Sequence, residues 1–592
     1  MKNIFKLLAF LPLLTACDDL FEPALENNRD LEAMYKEPSY AQGILANAYI
    51  ILPYETSPTS DLATDDAVTN EISSNYLRMA TGSWTANNNP VSQWQNRFNA
   101  IQYINLFLEN VDKVEWAKDE RISTMFLDRL KGEAYGLRAL HMYYLLRAHG
   151  GKIADGTLMG VPIILKSEGP DADFNHARAT YSDCVKQIME DADKAIELLP
   201  LDYKKFADSE IPEKYKNIGV TNASDYRRVC GEEYRGLMSG RIALAVRAQT
   251  ALLAASPAFQ SGSGMTWEQA ADYAAEIIEK ANGGGGCGLD ADGLEWYTLA
   301  DKDYGTGGSP AEVIWRSSTD DNNTLETANF PPSLYGNGRV NPTQNLVDAF
   351  PMANGYPISE TSGNYDAENP YDTRLAKYIV YNGSKQGPSD TEIITGTYGT
   401  NTDVVNKESG RSTRTGYYLR KLLRKECNPN SQYNTKKKHY TARIRYTEMF
   451  LIYAEAANEA WGPQNNHGHL FSAYDVIKAI RTRAGLGIDN GDAYLESIKD
   501  NKDKMRELIR NERRIELCFE NFRFWDLRRW NVDLTKLNET ALGVEISKNG
   551  SVMNYSPLTV EKRKYEEYMI YGPIPFAEVM KWSNLEQNVG WK

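Results

Sequence analysis

The chain has 592 residues and carries 80 acidic against 66 basic side chains, a net charge of −14. That balance excludes an electrostatic hold on nucleic acid or on an anionic lipid surface, while the length leaves room for a large core and two or more domains. The 6 cysteines are scattered with no paired spacing, so neither a disulfide framework nor a zinc site is expected.

The first element is a leader. Lys2 and Lys6 form a basic head, and Leu7 to Leu14, interrupted by Pro12, form an apolar run. The run is too short to span a bilayer, which needs about 20 apolar residues, but has the size of a signal-peptide core. Leu14-Thr15-Ala16-Cys17 resembles the lipobox of bacterial lipoproteins, in which the cysteine becomes the first residue and carries acyl chains such as palmitate; the alternative is ordinary secretory cleavage beside an incidental cysteine. One acyl chain holds only marginally, whereas several hold firmly. Asp18 and Asp19 resemble the acidic tract that directs some lipoproteins to the outer cell surface.

Helical periodicity then fills the first half. Trp94, Phe98, Ile101, Ile104 and Leu108 fall at helical spacing, as do Leu130, Ala134, Leu137, Leu140 and Tyr144. Thr180 caps a helix that stops at Pro200, and Thr266 to Gln269 form a capping box ahead of a helix that closes on Gly283. Alanines at Ala243, Ala248, Ala251 and Ala255, and again at Ala454 and Ala457, let helices approach closely. These features predict a mostly α fold of tetratricopeptide-like helix pairs, although the strict repeat consensus is absent. The middle, about 285 to 440, is rich in Gly, Pro, Asn, Asp and Thr and reads as long ordered loops with small β elements, which in a folded protein usually serve function. Helices return near Thr441, and the tail after Met569 is irregular.

Several stretches have a chemical and a plain reading. Gly283 to Gly288 fits GxGxxG but follows a helix where that fingerprint requires a strand, so it reads as a helix stop and a loop. His467 and His469 could bind a metal or lie in an exposed loop; the loop is favoured because no acid or cysteine stands near in sequence. Asp290 to Gly293 offers oxygen ligands of the kind calcium takes, without the rest of an EF-hand loop, so calcium stays open as a cofactor. No nucleophile elbow, HExxH or phosphate loop argues for an enzyme. In Arg510 to Trp530, Glu512 and Glu516 sit one turn apart on the inward face of a helix. They need cationic partners once buried, with Arg481, Arg483, Arg528 and Arg529 as candidates. An ion-pair network is favoured over an anion site.

In order along the chain stand LTACDDLFEP, KGEAYGLRALHMYYLLRAHGG with GVPII, GRIALAVRAQTALLAASPAF, GRVNPTQNLVDAFPMANGYPI, RYTEMFLIYAEAANEA, IRTRAGL, RNERRIELCFENFRFWDLRRW and LEQNVGW. Together they are similar to the SusD/RagB family of surface nutrient-binding lipoproteins. The resemblance implies a SusD-like helical scaffold with irregular segments forming the ligand face. It also implies a SusC-like TonB-dependent outer-membrane transporter as partner, with the lipoprotein as its lid, and an oligosaccharide ligand that is not cleaved. Some relatives handle peptides instead; a surface glycoside hydrolase or peptidase is the rival from another class.

On this reading 1–16 is a signal peptide, 17–285 a lipid-anchored helical region, 286–440 the loop-rich ligand face, and 441–592 a C-terminal helical region and tail, packed as one body on the outer membrane of a Gram-negative bacterium and facing outward. The positions that resemble the ligand face are Asp65, Asp66, Arg78, Trp84, Asn88, Phe330, Tyr335 and Arg339. Trp84 has mainly Gly, Thr and Asn beside it, so its ring is expected to be presented to a ligand. Trp94 and Trp315, in patterned elements, are expected in the core.

Overall fold

Helix periodicity and capping dictate the first half of the molecule. The structure, a computed structural model, describes residues 33–281, 286–301, 309–358 and 371–592; Cys17, the leader and Gly283 to Gly285 lie outside them. The main early helices are α1 (Pro38–Ile50), α2 (Trp94–Asn110), α3 (Glu120–His149), α4 (Tyr181–Leu198), α5 (Gly240–Ala255) and α6 (Trp267–Ile278), and each packs on the next. Thr180 accepts the Asp183 N–H, Ser239 accepts the Ile242 N–H, and Thr266 with Gln269 completes a reciprocal box, so the first turns of α4, α5 and α6 have partners for N–H groups that the helix itself cannot satisfy. Every residue of α5 is buried. Its alanines leave room for α4, α6 and a later helix around one axis. The result is a mostly α, tetratricopeptide-like array.

The next elements tie distant segments together. They are β1 (Ala67–Thr69), β2 (Val313–Arg316), β3 (Asp320–Asn322), α7 (Thr324–Asn329), β4 (Val340–Pro342), α8 (Thr373–Tyr378), β5 (Lys437–His439) and β6 (Ala442–Arg445). Among the described residues every sheet is two-stranded and antiparallel. β1 pairs with β4, β2 with β6 and β3 with β5, so no strand of these three ladders pairs with its immediate successor. The chain then forms α9 (Tyr446–Trp461), α10 (Ala473–Arg483), α11 (Lys502–Glu516), α12 (Arg523–Arg529) and a hairpin, β7 (Ala541–Asn549) and β8 (Val552–Glu561). α9 packs on α5 and α6, and α10 and α11 pack on α9, which continues the helical array.

α11 is the junction. Glu512 and Glu516 are fully buried on its inner face. Arg374 of α8 reaches both, with Nη1 donating to Glu512 at 2.8 Å and to Glu516 at 2.9 Å, while its Nε and Nη2 fork onto Asp372. Arg481 donates to Glu512 at 2.9 Å and to Asp492; Arg483 donates to Glu516 at 3.1 Å and to Glu312 at 3.2 Å. Two of the four arginines expected beside these carboxylates are elsewhere. Arg529 forks onto Glu455 at 2.6 and 2.7 Å and also meets Asp526. Arg528 has no carboxylate partner among the described residues; its guanidinium lies 3.5 Å from the Phe524 ring centroid and 5.0 Å from those of Trp84 and Tyr565. One turn of helix puts Arg528 among rings and Arg529 against α9, so neither can point at α11's inner face. Arg374, the partner that sequence reading missed, lies outside any long periodic segment.

Burial alone would raise the Glu516 carboxyl, but Arg483, Arg374, Arg445 and Lys421 outweigh it and hold the group down at about 2. A depressed carboxylate contributes stability above its unfolded value, and that stability is lost as pH falls through the folded value. Glu516→Gln should therefore destabilise at neutral pH by about 3–5 kcal/mol, the cost of breaking a buried pair. In urea titrations at stepped pH, the gap to the wild type should narrow as pH falls from 4.5 toward about 2. A gap that is absent at pH 7 or constant with pH contradicts this account.

Candidate ligand-binding site

A ligand can touch only side chains that reach the surface, and several positions expected at the ligand face do not. Asp65, Asp66, Trp84 and Phe330 are 2%, 0%, 2% and 0% exposed. Asp65 takes a fork from Arg523 at 2.8 Å on each oxygen and lies 2.8 Å from Lys536 Nζ, and Asp66 accepts from Arg514 at 2.6 Å. Against the effect of burial, Arg514 and Arg523 hold Asp65 well below the usual carboxylate range; burial and the Asp65 charge push Asp66 up. These carboxylates tie the N-terminal segment to α11 and α12. Trp84 turns inward: its ring meets Trp591, Phe524 and Tyr565 at 4.8, 5.7 and 6.2 Å between centroids, and its indole N–H donates to Asn89 Oδ1 at 3.0 Å. The apolar neighbours that its own loop lacks come from the far end of the chain. Phe330 packs in a core cluster with Leu334, Val340 and Phe350. Asn88 is half-buried and donates to the Ser83 carbonyl at 2.9 Å, closing its own turn. Trp94 and Trp315 are also core residues.

Arg78, Tyr335 and Arg339 remain accessible. Arg78 and Arg339 meet in one open cleft of about 460 Å³ with Asn70, Glu71 and Ser409. Arg339 Nη1 donates to Asn70 Oδ1 at 3.2 Å and to the Gly410 carbonyl at 2.9 Å. Tyr335 is 57% exposed at φ +65°. The cleft has guanidinium, amide and carboxylate groups but no ring in its lining.

A larger groove of about 790 Å³ supplies the rings. Phe98, Gln95 and Asn99 lie on α2; Phe174 and His176 come from the loop before α4; Trp582 comes from the tail. The Phe174 and Trp582 rings are 6.1 Å apart, tilted by 39°. Asn87 from the Trp84 loop and Glu168 and Glu578 complete the wall. The loop thus buries its tryptophan and gives the groove an asparagine three residues on. Periodicity had placed Phe98 on a core stripe, and nothing local marks Phe174 or Trp582. The volume and the mix of rings with a few polar groups are those of a small-molecule site. By contrast, an inner cavity lined by Tyr144, Arg147, Glu448 and Trp525 holds only about 120 Å³, too little for an oligosaccharide. In it Arg147 sits 4.4 Å from the ring centroids of both Tyr144 and Trp525, and burial pushes Glu448 up to about 7.

The remaining candidate ligands are engaged locally. His467 stacks on Trp461 with centroids 4.5 Å apart, and His469 Nε2 lies 2.9 Å from Asp272. Asp290 accepts from the Asp292 and Glu312 backbone N–H groups at 3.1 and 2.9 Å, so its carboxylate braces the turn.

Two family models match, one described as the SusD family over residues 311–591 and one described as starch-binding, associating with outer membrane, over residues 25–214. The chain belongs to the SusD family. A SusD-like protein of Formosa agariphila is 34% identical over 89 residues, which cover 15% of this chain and 16% of the relative. A second SusD-like protein of that organism is 31% identical over 147 residues, 24% of each chain. These matches span at most about a quarter of either relative's length. The fold likeness is far wider. A SusD-like protein of Bacteroides fragilis superposes with a TM-score of 0.71 at 20% identity, covering 96% of this chain and all of the other. A SusD-like carbohydrate binding protein of the same species gives 0.69 at 21%, covering 94% and 100%, and surface glycan-binding protein A of Bacteroides fluxus gives 0.58 at 17%, covering 94% and 100%. No described helix is long and apolar enough to cross a membrane.

Because Trp84 is a core residue here, Trp84→Ala should lower stability by about 3–5 kcal/mol, as large aromatic truncations in cores do. Chemical denaturation checks this; an unchanged midpoint would return Trp84 to the surface.

Proposed function

We propose that the chain captures oligosaccharides on the cell surface without cleaving them and delivers them to a SusC-like TonB-dependent transporter, over which it sits as a lid. The observation that carries the reading is the groove with Phe98, Phe174 and Trp582 among Asn87, Gln95, Asn99, Glu168 and Glu578. Sugar C–H faces pack on rings while hydroxyls exchange hydrogen bonds with amides and carboxylates, and this groove presents both. The carbohydrate- and glycan-binding names of two structural neighbours agree with it. On this proposal acylated Cys17 holds the body to the outer membrane, facing outward.

A second reading, capture of peptides, has one observation in its favour. β8 is largely exposed, and among the described residues no strand other than β7 pairs with it, so its free edge could take an extended peptide as an added strand.

Calorimetry of the wild type against a panel of oligosaccharides, with peptides as a second arm, separates the two. Trp582→Ala should weaken oligosaccharide binding at least ten-fold, by analogy with anchor residues worth about 2 kcal/mol, with little change in melting temperature because the ring is half-buried. Binding of peptides alone, or a Trp582→Ala affinity equal to wild type, would overturn the glycan groove. Cys17→Ala should move the protein out of the outer-membrane fraction and abolish incorporation of labelled palmitate; retention there with no label in the wild type would refute the anchor.

A further inference from the structure

Away from the groove, the β3–β5 ladder and the start of α7 bring together three donor groups of different chemistry. β5 ends at His439, whose residue pairs with Asp320 of β3; β3 leads directly into α7, which carries Glu326. A bridge between Asn428 and Thr435 folds the intervening loop back and sets Cys427 beside them, its Sγ 3.8 Å from the Asn322 carbonyl. One ligand atom each from Glu326, Cys427 and His439 lies within 4.8 Å of the others, and all three residues are buried.

The hydrogen bonds leave this cluster short of a positive charge. His439 Nδ1 faces the Lys437 carbonyl at 2.8 Å, so that nitrogen carries a proton. Nε2 then points its free position at Glu326 Oε1, 3.0 Å away. Two acceptors face each other there unless a proton or a cation lies between them. Glu326 Oε1 also accepts the Arg424 N–H at 2.7 Å, while Oε2 is buried with no hydrogen-bond partner among the described residues. Burial and the Glu326 charge push the Cys427 thiol up to about 12. Burial lowers His439, but the hydrogen bond and charge of Glu326 outweigh it and raise the imidazole.

We propose that Glu326, Cys427 and His439 bind one divalent ion of the zinc class. Thiolate, imidazole and carboxylate are the zinc ligand set, with bonds of about 2.0–2.3 Å; donors around such a tetrahedral ion stand roughly 3.3–3.8 Å apart, within the 4.8 Å that spans these ligand atoms. The His439 Nδ1–H to carbonyl bond is the outer contact that orients a ligating histidine. A metal needs the Cys427 thiolate and an unprotonated His439 Nε2, so its binding releases protons from the site. Arg424 and Glu426, joined at 3.5 Å, flank the cluster. His439 also lines the inner cavity. The ion would clip α7, the 427 turn and β5 together.

Cobalt(II) chloride titrated into the full chain in detergent tests this. One equivalent should produce a thiolate-to-cobalt charge-transfer band, and zinc chloride should bleach it. The band should vanish in Cys427→Ala, and zinc affinity by chelator competition should fall at least about 100-fold in Glu326→Gln and His439→Gln, with His469→Gln as a control that leaves both unchanged. Absence of the sulfur band in the wild type overturns the proposal without recourse to any variant, as does a band that survives in Cys427→Ala.

Discussion

A charge taken out of water must find its opposite, and the rest of this molecule is arranged around that constraint at α11. The helix turns Glu512 and Glu516 inward and sends Arg514 the other way. Each side of it therefore demands a partner that local sequence cannot supply. Arg374 arrives from the loop-rich middle, Arg481 and Arg483 from α10, and Asp65 and Asp66 from the N-terminal segment. Because one unpaired buried ion costs several kcal/mol, an arrangement of these three regions that pairs these charges is favoured over one that leaves any of them alone. The network extends through Arg445, which donates to Glu312, Glu520 and the Glu516 carbonyl, and through Lys421, which reaches Glu520 and two carbonyls. What the three small ladders do with backbone hydrogen bonds, this network does with side chains.

The same economy explains the surface. Trp84 closes the core beneath Trp591, so the last residues of the chain are held against a loop near its start. Arg528 lies in that cluster as a buried cation facing rings instead of carboxylates, and burial brings its pKa down to about 10. With the tryptophan turned in, the amide of Asn87 turns out and joins Phe98, Phe174 and Trp582. The groove, assembled from a helix, a loop and a tail, takes its geometry from the scaffold beneath.

The proposed ion site draws on donors that no motif spacing links. Glu326, Cys427 and His439 each come from a different element, and on that proposal the β3–β5 ladder takes the place of a short motif. The five cysteines described are all free thiols.

Local physics made part of this protein legible in its sequence. A helix repeats every 3.6 residues and is capped within one turn, so the α2 to α6 array, the caps at Thr180 and Thr266 and the close-packing alanines of α5 and α9 could be read directly. So could the inward placement of Glu512 and Glu516, one turn apart. The identity of their partners could not: Arg481 and Arg483 stand on a periodic helix and were legible as candidates, whereas Arg374 stands outside any periodic sequence pattern and Arg528 differs from Arg529 only by a rotation about a helix axis. Trp84 looked presented because its neighbours in sequence are polar; its neighbours in space are Phe524, Tyr565 and Trp591, and no pattern links residues so far apart. The groove and the Arg78–Arg339 cleft were decided in the same way. Sequence determines what a segment of ten or twenty residues must bury, and tertiary structure alone decides what covers it, because the covering group is chosen by distance in space and carries no periodic mark along the chain.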